Sequence, residues 1–375
     1  MPELSEPLRE DPENPDYLTG QLITCLGNKR ALLDFIGRGV DMVRGRLNKR
    51  KLSVFDVFSG SGVAARYFKR FSSLLLVNDL ERYAELINRC YLSNRGETDI
   101  PVLEALHRDL AGRLEAGPLV PGLVAGLYAP RDDACIRPGE RVFYTRRNAR
   151  YIDTARNLIE GIDERFRAYF LAPLLSEASI HSNTSGVFKG FYKNRDTGIG
   201  QFGGRNRDSL ARIMGDIRLP FPVFSNFDCD YVVYRGDANR VIADAPEVDL
   251  AYLDPPYNQH PYGSNYFMLN LIIENKPPAA QSRVSGIPEG WNRSVYNKRR
   301  AAPQALADLA ARIRAKFVLV SFSSEGIIPL GEMTELLGKI GRLEVLETDY
   351  TVFRGSRNLS GRGIRVKEYL FVLEK

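Results

Sequence analysis

Apolar residues fall in short runs along much of the chain, and seven of these runs have the length and composition of strands. Residues 54–58 and 74–78 come early. Residues 231–234, 250–253, 317–321, 345–350 and 369–373 follow after a long gap. Between most of them the apolar positions recur at helical spacing, over 63–71, 83–92, 266–274 and 303–315. Strand and helix in alternation predict a doubly wound α/β fold whose seven-stranded sheet is mostly parallel and covered on both faces. No helical pattern separates the last two runs, which predicts an antiparallel pair at the sheet's edge.

The gap breaks this rhythm. Residues 95–228 include helix-like pieces at 151–161 and 166–176, and a stretch rich in Gly, Asn and Arg over 183–206. This predicts an inserted second domain over 95–228, with residues 1–94 and 229–375 forming the sheet domain. A polar, basic segment at 275–303 interrupts the fold again after the fourth strand, and segments of this length in a compact domain tend to be functional or mobile. No internal repeat is read from the sequence.

Composition narrows the picture modestly. The chain has 375 residues, 44% of them hydrophobic, with a formal charge of +6 and a pI near 9.0. A mildly basic balance points weakly to a polyanionic partner. Cys25, Cys90, Cys135 and Cys229 are far apart, and only three histidines are present. No zinc-ligand spacing results, and no metal is expected. Reduced cysteines, an acidic proline-containing start and no long apolar stretch suggest a cytoplasmic location without membrane attachment.

The most distinctive string is Asp254-Pro255-Pro256-Tyr257, directly after an apolar run over 248–253. Two prolines remove backbone donors and end the ladder, which leaves carbonyls able to accept. Asp254 adds a second acceptor and Tyr257 a flat ring. Together they suit an amino group on a planar ring, as in adenine or cytosine. At the other end of the sheet, the first strand runs into Asp56-Val57-Phe58-Ser59-Gly60-Ser61-Gly62. Glycines at a strand-to-helix turn admit a ligand close to the backbone. Asp79, about 20 residues on, is placed to take ribose hydroxyls. The fuller glycine pattern that a pyrophosphate needs is missing. A cofactor with ribose but no phosphate fits better, and S-adenosylmethionine is one.

These residues resemble an N6-adenine DNA methyltransferase of the Dam-like α group. In that group a lysine-containing N-terminal motif precedes FxGxG, and a recognition insert precedes DPPY. Leu26-Gly27-Asn28-Lys29-Arg30 resembles the first, although Asn28 stands where a glycine is expected beside the lysine. The resemblance covers the sheet domain at both ends of the chain, and the insert far less specifically. It implies that Lys29 pairs with the cofactor carboxylate. Phe58, Gly60 and Gly62 would line the methionine and ribose portions, with Asp56 in the same cofactor-binding set. Asp79 would hold the ribose hydroxyls and Asp237 would contact the cofactor's adenine. Asp254 and the Pro255 carbonyl would accept from the target amine, in a motif completed by Pro256, with Asp254 also facing the cofactor. Tyr257 would stack on a flipped base. Tyr266 reads as a core residue of the following helix, and His181 as structural.

Three basic clusters are candidates for double-stranded DNA. Arg354, Arg357, Arg362 and Arg365 lie between the last two strands. Arg293, Lys298, Arg299 and Arg300 share a segment with Trp291. Lys189, Lys193, Arg195, Arg205 and Arg207 surround Phe188, Phe191 and Tyr192 in the insert. The implied activity is site-specific adenine methylation, with a cognate restriction endonuclease as possible partner. Methylation of another amine (RNA adenine or cytosine N4) and a non-catalytic, cofactor-gated DNA-binding protein are the alternatives. Asp254 at the head of the motif, the motif order and the large insert favour adenine in DNA.

Overall fold

The computed structural model describes residues 12–20, 22–23, 27, 29–204, 209–351 and 365–375. Arg205, Arg207, Arg354, Arg357 and Arg362, with Leu26 and Asn28 of the N-terminal motif, lie outside the described residues.

Seven strands form one sheet: β1 Leu52–Asp56, β2 Ser72–Asp79, β3 Asp230–Arg235, β4 Val248–Leu253, β5 Ala315–Ser323, β6 Arg342–Thr351 and β7 Arg365–Glu374. Their spatial order is β3-β2-β1-β4-β5-β7-β6. The first five run parallel, and β7 lies antiparallel between β5 and β6. This is the expected sheet with its antiparallel edge, although β1 ends at Asp56, so that Val57 and Phe58 already turn. Arg365 opens β7 rather than sitting in the segment before it.

All six residues of β4 are buried, as a central parallel strand covered on both faces requires. Its side chains alternate between two cores. Ala251 and Leu253 pack with Phe55, Val318 and Leu309. Leu250 and Tyr252 pack with Val54, Phe68 and Leu319 on the other face. That second face is also covered by a helix at Leu33–Leu47, which the apolar pattern did not announce. Three glycines in it lower helix propensity, yet two are needed for close approach. A Cβ on Gly37 would meet the Tyr67 hydroxyl at 2.2 Å, and one on Gly39 would meet Leu370 at 2.6 Å.

The regular elements described in residues 95–228 are helices, with long ones at Ile100–Ala116, Arg146–Glu160 and Glu164–Ile180. Their buried faces do not close on themselves. Leu110, Ile152, Leu174 and Leu175 share one continuous core with Tyr83 and Ile87 of the helix Arg82–Tyr91, and with Phe267 and Leu271 of the helix Phe267–Glu274. The sheet-covering helices are thus the foundation of the inserted segment. Phe188, read as one of the aromatics among basic residues, is instead part of this core and almost fully buried. An apolar ring next to Lys189, in a stretch rich in glycine, looks exposed in sequence but here faces Phe143 and Phe267.

Two short hairpins, at residues 192–201 and 280–289, share one backbone hydrogen-bond pattern. Asn194 N–H donates to Ile199 O at 2.8 Å, and Ser282 N–H to Ile287 O at 2.8 Å. Gly198 N–H reaches Asn194 O at 3.0 Å, and Gly286 N–H reaches Ser282 O at 2.9 Å. Gln201 N–H bonds Tyr192 O at 3.0 Å, and Glu289 N–H bonds Ala280 O at 2.9 Å. Each hairpin has one bridge, Lys193 with Gly200 and Gln281 with Pro288. The aligned strings are Lys-Asn-Arg-Asp-Thr-Gly-Ile-Gly and Gln-Ser-Arg-Val-Ser-Gly-Ile-Pro. Both equivalent glycines have positive φ, 69° at Gly198 and 71° at Gly286. The likeness is one of backbone, since only Arg, Gly and Ile are identical. That backbone demands a glycine at the left-handed position.

Candidate active site

In an open parallel sheet, ligands bind outside the carboxyl ends of the strands where the strand order reverses. Here the chain moves outward from β1 through β2 to β3, then returns to place β4 on the other side of β1. The reversal therefore falls between β1 and β4, and both singular motifs follow these two strands. A cleft opens there, at the position where such sheets bind ligands. Lys29, Phe58, Gly60, Asp79, Asp237, Asp254 and Pro256 all line it.

The glycine turn is tightly specified. Gly60 and Gly62 both have positive φ, 52° and 76°. Gly60 N–H donates to Asp79 Oδ2 at 2.8 Å, and Glu81 N–H donates to Asp79 Oδ1 at 2.9 Å. Asp79 is thereby fixed at the cleft wall. Burial raises its pKa, and these backbone donors oppose the rise. Asn78 Nδ2 ties the turn to the next wall by donating to Val57 O at 3.1 Å and Gly236 O at 3.2 Å. Asp237, at the start of the short helix Ala238–Val241, closes that side.

Lys29 is buried and lines the same cleft. Its Nζ lies 3.1 Å from Asp254 Oδ1 and 4.0 Å from Glu368 Oε2. Burial opposes its charge, but the carboxylates of Asp254 and Glu368 outweigh it and raise the pKa, so Lys29 stays protonated. Asp254 is pushed up by burial, against the pull of Lys29. Glu368 is likewise raised by burial and opposed by Lys29.

Four of the expected site residues are not on the cleft wall. Asp56 is fully buried at the end of β1, beneath the cleft rather than in it. Its carboxyl is raised well above the usual range by burial, then by the charges of Asp254 and Asp79. Asp56, expected in the cofactor-binding set, ends β1 two residues before the cleft-lining Phe58. Gly62 faces Asn88, which a Cβ would meet at 2.9 Å. Pro255 is buried behind Asp254. Tyr257 packs toward Gly27 and lies with its ring centroid 5.8 Å from Lys29 Nζ, while its carbonyl accepts from Ile327 N–H.

Other cleft residues carried no clear sequence signal. Glu81 accepts from Asn270 Nδ2 at 2.7 Å, and Asn270 Oδ1 in turn accepts from Tyr83 N–H at 3.0 Å. Asn292, Ser294, Tyr296 and Asn297 come from the segment after the fourth strand. Part of that segment, read only for its basic residues, thus walls the cleft. The Tyr296 ring meets Phe58 edge-on, with centroids 5.0 Å apart. Asn297 Nδ2 donates to Asn258 O at 2.8 Å, next to the DPPY motif. Tyr262 also lines the cleft and stacks on fully buried Tyr266, which is a core residue as expected. His181 is held by Arg212 O and Glu177, a structural role.

Among the DNA-contact candidates, Lys189, Lys193, Arg299 and Arg300 are exposed. Lys189 Nζ lies 3.4 Å from His260 Nδ1, three residues beyond Tyr257. Arg293 stacks its guanidinium 4.2 Å from the Trp291 ring. Among the described residues no cluster of metal-ligating side chains is present, and no helix is long and apolar enough to cross a membrane.

The chain is 28% identical to the type II methyltransferase M.NlaIII of Neisseria lactamica, over 93% of this chain and 98% of that protein. It is 28% identical to the type II methyltransferase M.CviAII of Paramecium bursaria Chlorella virus 1, over 93% and 97%. The modification methylase StsI of Streptococcus sanguinis is 24% identical over 93% of this chain, which spans 51% of that longer protein. A family model described as D12 class N6 adenine-specific DNA methyltransferase matches residues 26–336. That match runs from the lysine motif through the glycine turn, the insert and DPPY, and the chain belongs to this family of DNA methyltransferases.

Proposed function

We propose that the chain transfers a methyl group from S-adenosylmethionine to N6 of an adenine flipped out of double-stranded DNA. The observation that carries this reading is that Asp254 opens onto the same cleft as Lys29, Gly60 and Asp79. A cofactor with a ribose, a base and an amino-acid tail suits the chemistry of this wall. Asp79 would take the ribose hydroxyls, Asp237 the adenine and Lys29 the carboxylate, with Phe58 and Gly60 between them. A Cβ at Gly60 would have only the Phe58 carbonyl within 4.0 Å, so the turn itself leaves room for a ligand. S-adenosylmethionine, when bound, supplies the methyl group on a sulfonium.

The remaining chemistry falls to Asp254 and its neighbours. The N6 lone pair of adenine is delocalised into the ring and is a poor nucleophile. Acceptors on its N–H bonds, the Asp254 carboxylate and the Pro255 carbonyl, draw the nitrogen toward sp³ and release that pair. In-line placement then suffices for transfer. The developing positive charge on N6 is stabilised by Asp254, and one N6 proton leaves to water. Tyr257 is the proposed stacking surface for the unstacked base.

Residues 95–228 are the proposed target-recognition segment; Lys189 and Lys193 within it, and Arg299 and Arg300 outside it, are the proposed phosphate contacts among the described residues. The names of the relatives support a role as the modification enzyme of a restriction–modification system, with an endonuclease that cuts the same site. The test is expression in a methylation-free host, with N6-methyladenine mapped along the genome by single-molecule sequencing. One methylated motif is expected. A genome without one, from a folded chain that binds the cofactor, would refute the reading.

A further inference from the structure

The two matching hairpins are seated on consecutive residues. Hairpin 192–201 packs on Val142: a Cβ on Gly200 would meet its Cγ2 at 2.4 Å, and Asn183 Nδ2 bridges Val142 O and Gln201 O at 2.7 and 2.8 Å. Hairpin 280–289 is held by Arg141, whose Nη2 donates to Ser282 O at 3.1 Å and Arg283 O at 3.3 Å. The Tyr128 hydroxyl adds a bond to Gly286 O at 2.7 Å. Both hairpins are therefore seated on one stretch of chain, and both are anchored through their backbones.

Each hairpin presents an exposed arginine at the same position of its turn, Arg195 and Arg283. The next residue differs. It is Asp196 in one and Val284 in the other, and Val284 is 61% exposed, the highest among the large exposed hydrophobics of the described residues. Both hairpins also lead to the reacting end of the fold. Beside the first, Phe188 N–H donates to Asn265 O at 2.7 Å. Past the second, Asn297 reaches Asn258 O.

We propose that hairpin 280–289 is a second DNA-reading element, with Arg283 and Val284 contacting the duplex beside Arg195. A two-stranded ribbon fits the major groove, where arginine pairs with guanine and an apolar side chain meets a thymine methyl. Val284 is exposed, and the anchoring bonds go to backbone carbonyls, so the tip side chains take no part in them. The assignment rests on the DNA methyltransferase reading and adds a recognition element outside the 95–228 segment.

The experiment compares wild type, Arg283→Ala, Val284→Ser and Arg195→Ala. The motif methylated by the wild type is mapped first, and a duplex carrying it is then titrated by fluorescence anisotropy at several salt concentrations. Arg283→Ala is expected to weaken binding about tenfold, and Val284→Ser to relax one position of the methylated motif. If Arg283 holds a phosphate, the salt slope falls by about one at an unchanged motif; if it holds a base, the motif loosens. Either supports the proposal. Affinity, slope and motif all unchanged in both variants overturn it, as does a loss of binding that follows a lowered melting temperature. A wild type that methylates nothing would remove the underlying reading instead.

Discussion

Lys29 and Asp254 form an ion pair of 3.1 Å at the floor of the cleft, with the Lys29 side chain only 6% exposed. The lysine serves two acids, since Glu368 lies 4.0 Å from the same ammonium. Removing it would leave both carboxylates buried with no counterion among the described residues. Lys29→Met is therefore expected to cost about 3–5 kcal/mol of stability at neutral pH. The sign of its pH dependence follows from the raised pKa of Asp254 and Glu368. A carboxyl raised by folding contributes stability that is present at low pH and lost as pH rises through the folded pKa. Without Lys29 both rise further, so the gap in melting temperature to wild type should be wider at pH 8 than at pH 5. An equal gap at both values would show that the pair carries no net charge effect.

Asp254→Ala tests the chemistry apart from the fold. In this variant Lys29 keeps Glu368 nearby, so no lone buried charge results. We expect a folded protein with methyl transfer reduced by at least about 10³-fold, the scale of losing a principal electrostatic contact. Protection of plasmid DNA from a methylation-sensitive nuclease reads the outcome. Equal protection by variant and wild type would rule out the acceptor role.

Glu81 carries a pH signal of its own. Burial raises its carboxyl from 4.5 to about 7, the charge of Asp79 adds to the rise, and the amides of Asn270 and Asn292 oppose it. The shift corresponds to about 3 kcal/mol. It is raised, so the stabilisation is complete below pH 4.5 and disappears as pH climbs through about 7. Glu81→Gln keeps an oxygen to accept from Asn270 and cannot ionise. Melting curves from pH 5 to 8 should show wild type losing stability across this window and the variant losing less. Parallel curves would place the titration elsewhere.

What the sequence disclosed and what it hid have physical causes. The DPPY string and the glycine turn were legible because chemistry restricts both residue type and spacing. The sheet was legible from its apolar runs. The helix Leu33–Leu47 was hidden by glycines that tertiary packing demands. Glu368 was hidden because Lys367-Glu368 reads as a charged, solvated pair, whereas strand alternation exposes Lys367 and buries Glu368 toward Lys29. The wall formed by Asn292, Tyr296 and Asn297 was hidden because loop residues become neighbours of the cleft only through the path of the chain.

That path decides how recognition can be transplanted. The helices of residues 95–228 share a core with the helices Arg82–Tyr91 and Phe267–Glu274. Hairpin 280–289 is held by Tyr128 and Arg141 of the same segment. A chimera that takes only residues 95–228 from a homologue of different specificity should change the methylated site, but it replaces one side of both contacts. Lost core fit costs on the order of 1–3 kcal/mol per mismatched large side chain, and a foreign seat would misplace the second hairpin. A larger exchange that also carries residues 275–297 keeps hairpin and seat together. We expect the larger chimera to melt higher than the smaller one and to methylate the donor's motif, and the smaller to show a mixed or degenerate motif. Genome-wide methylation maps of both, with melting temperatures, make the comparison. A smaller chimera that shows the complete donor motif would confine recognition to 95–228, and a parental motif in both would exclude these segments from recognition altogether.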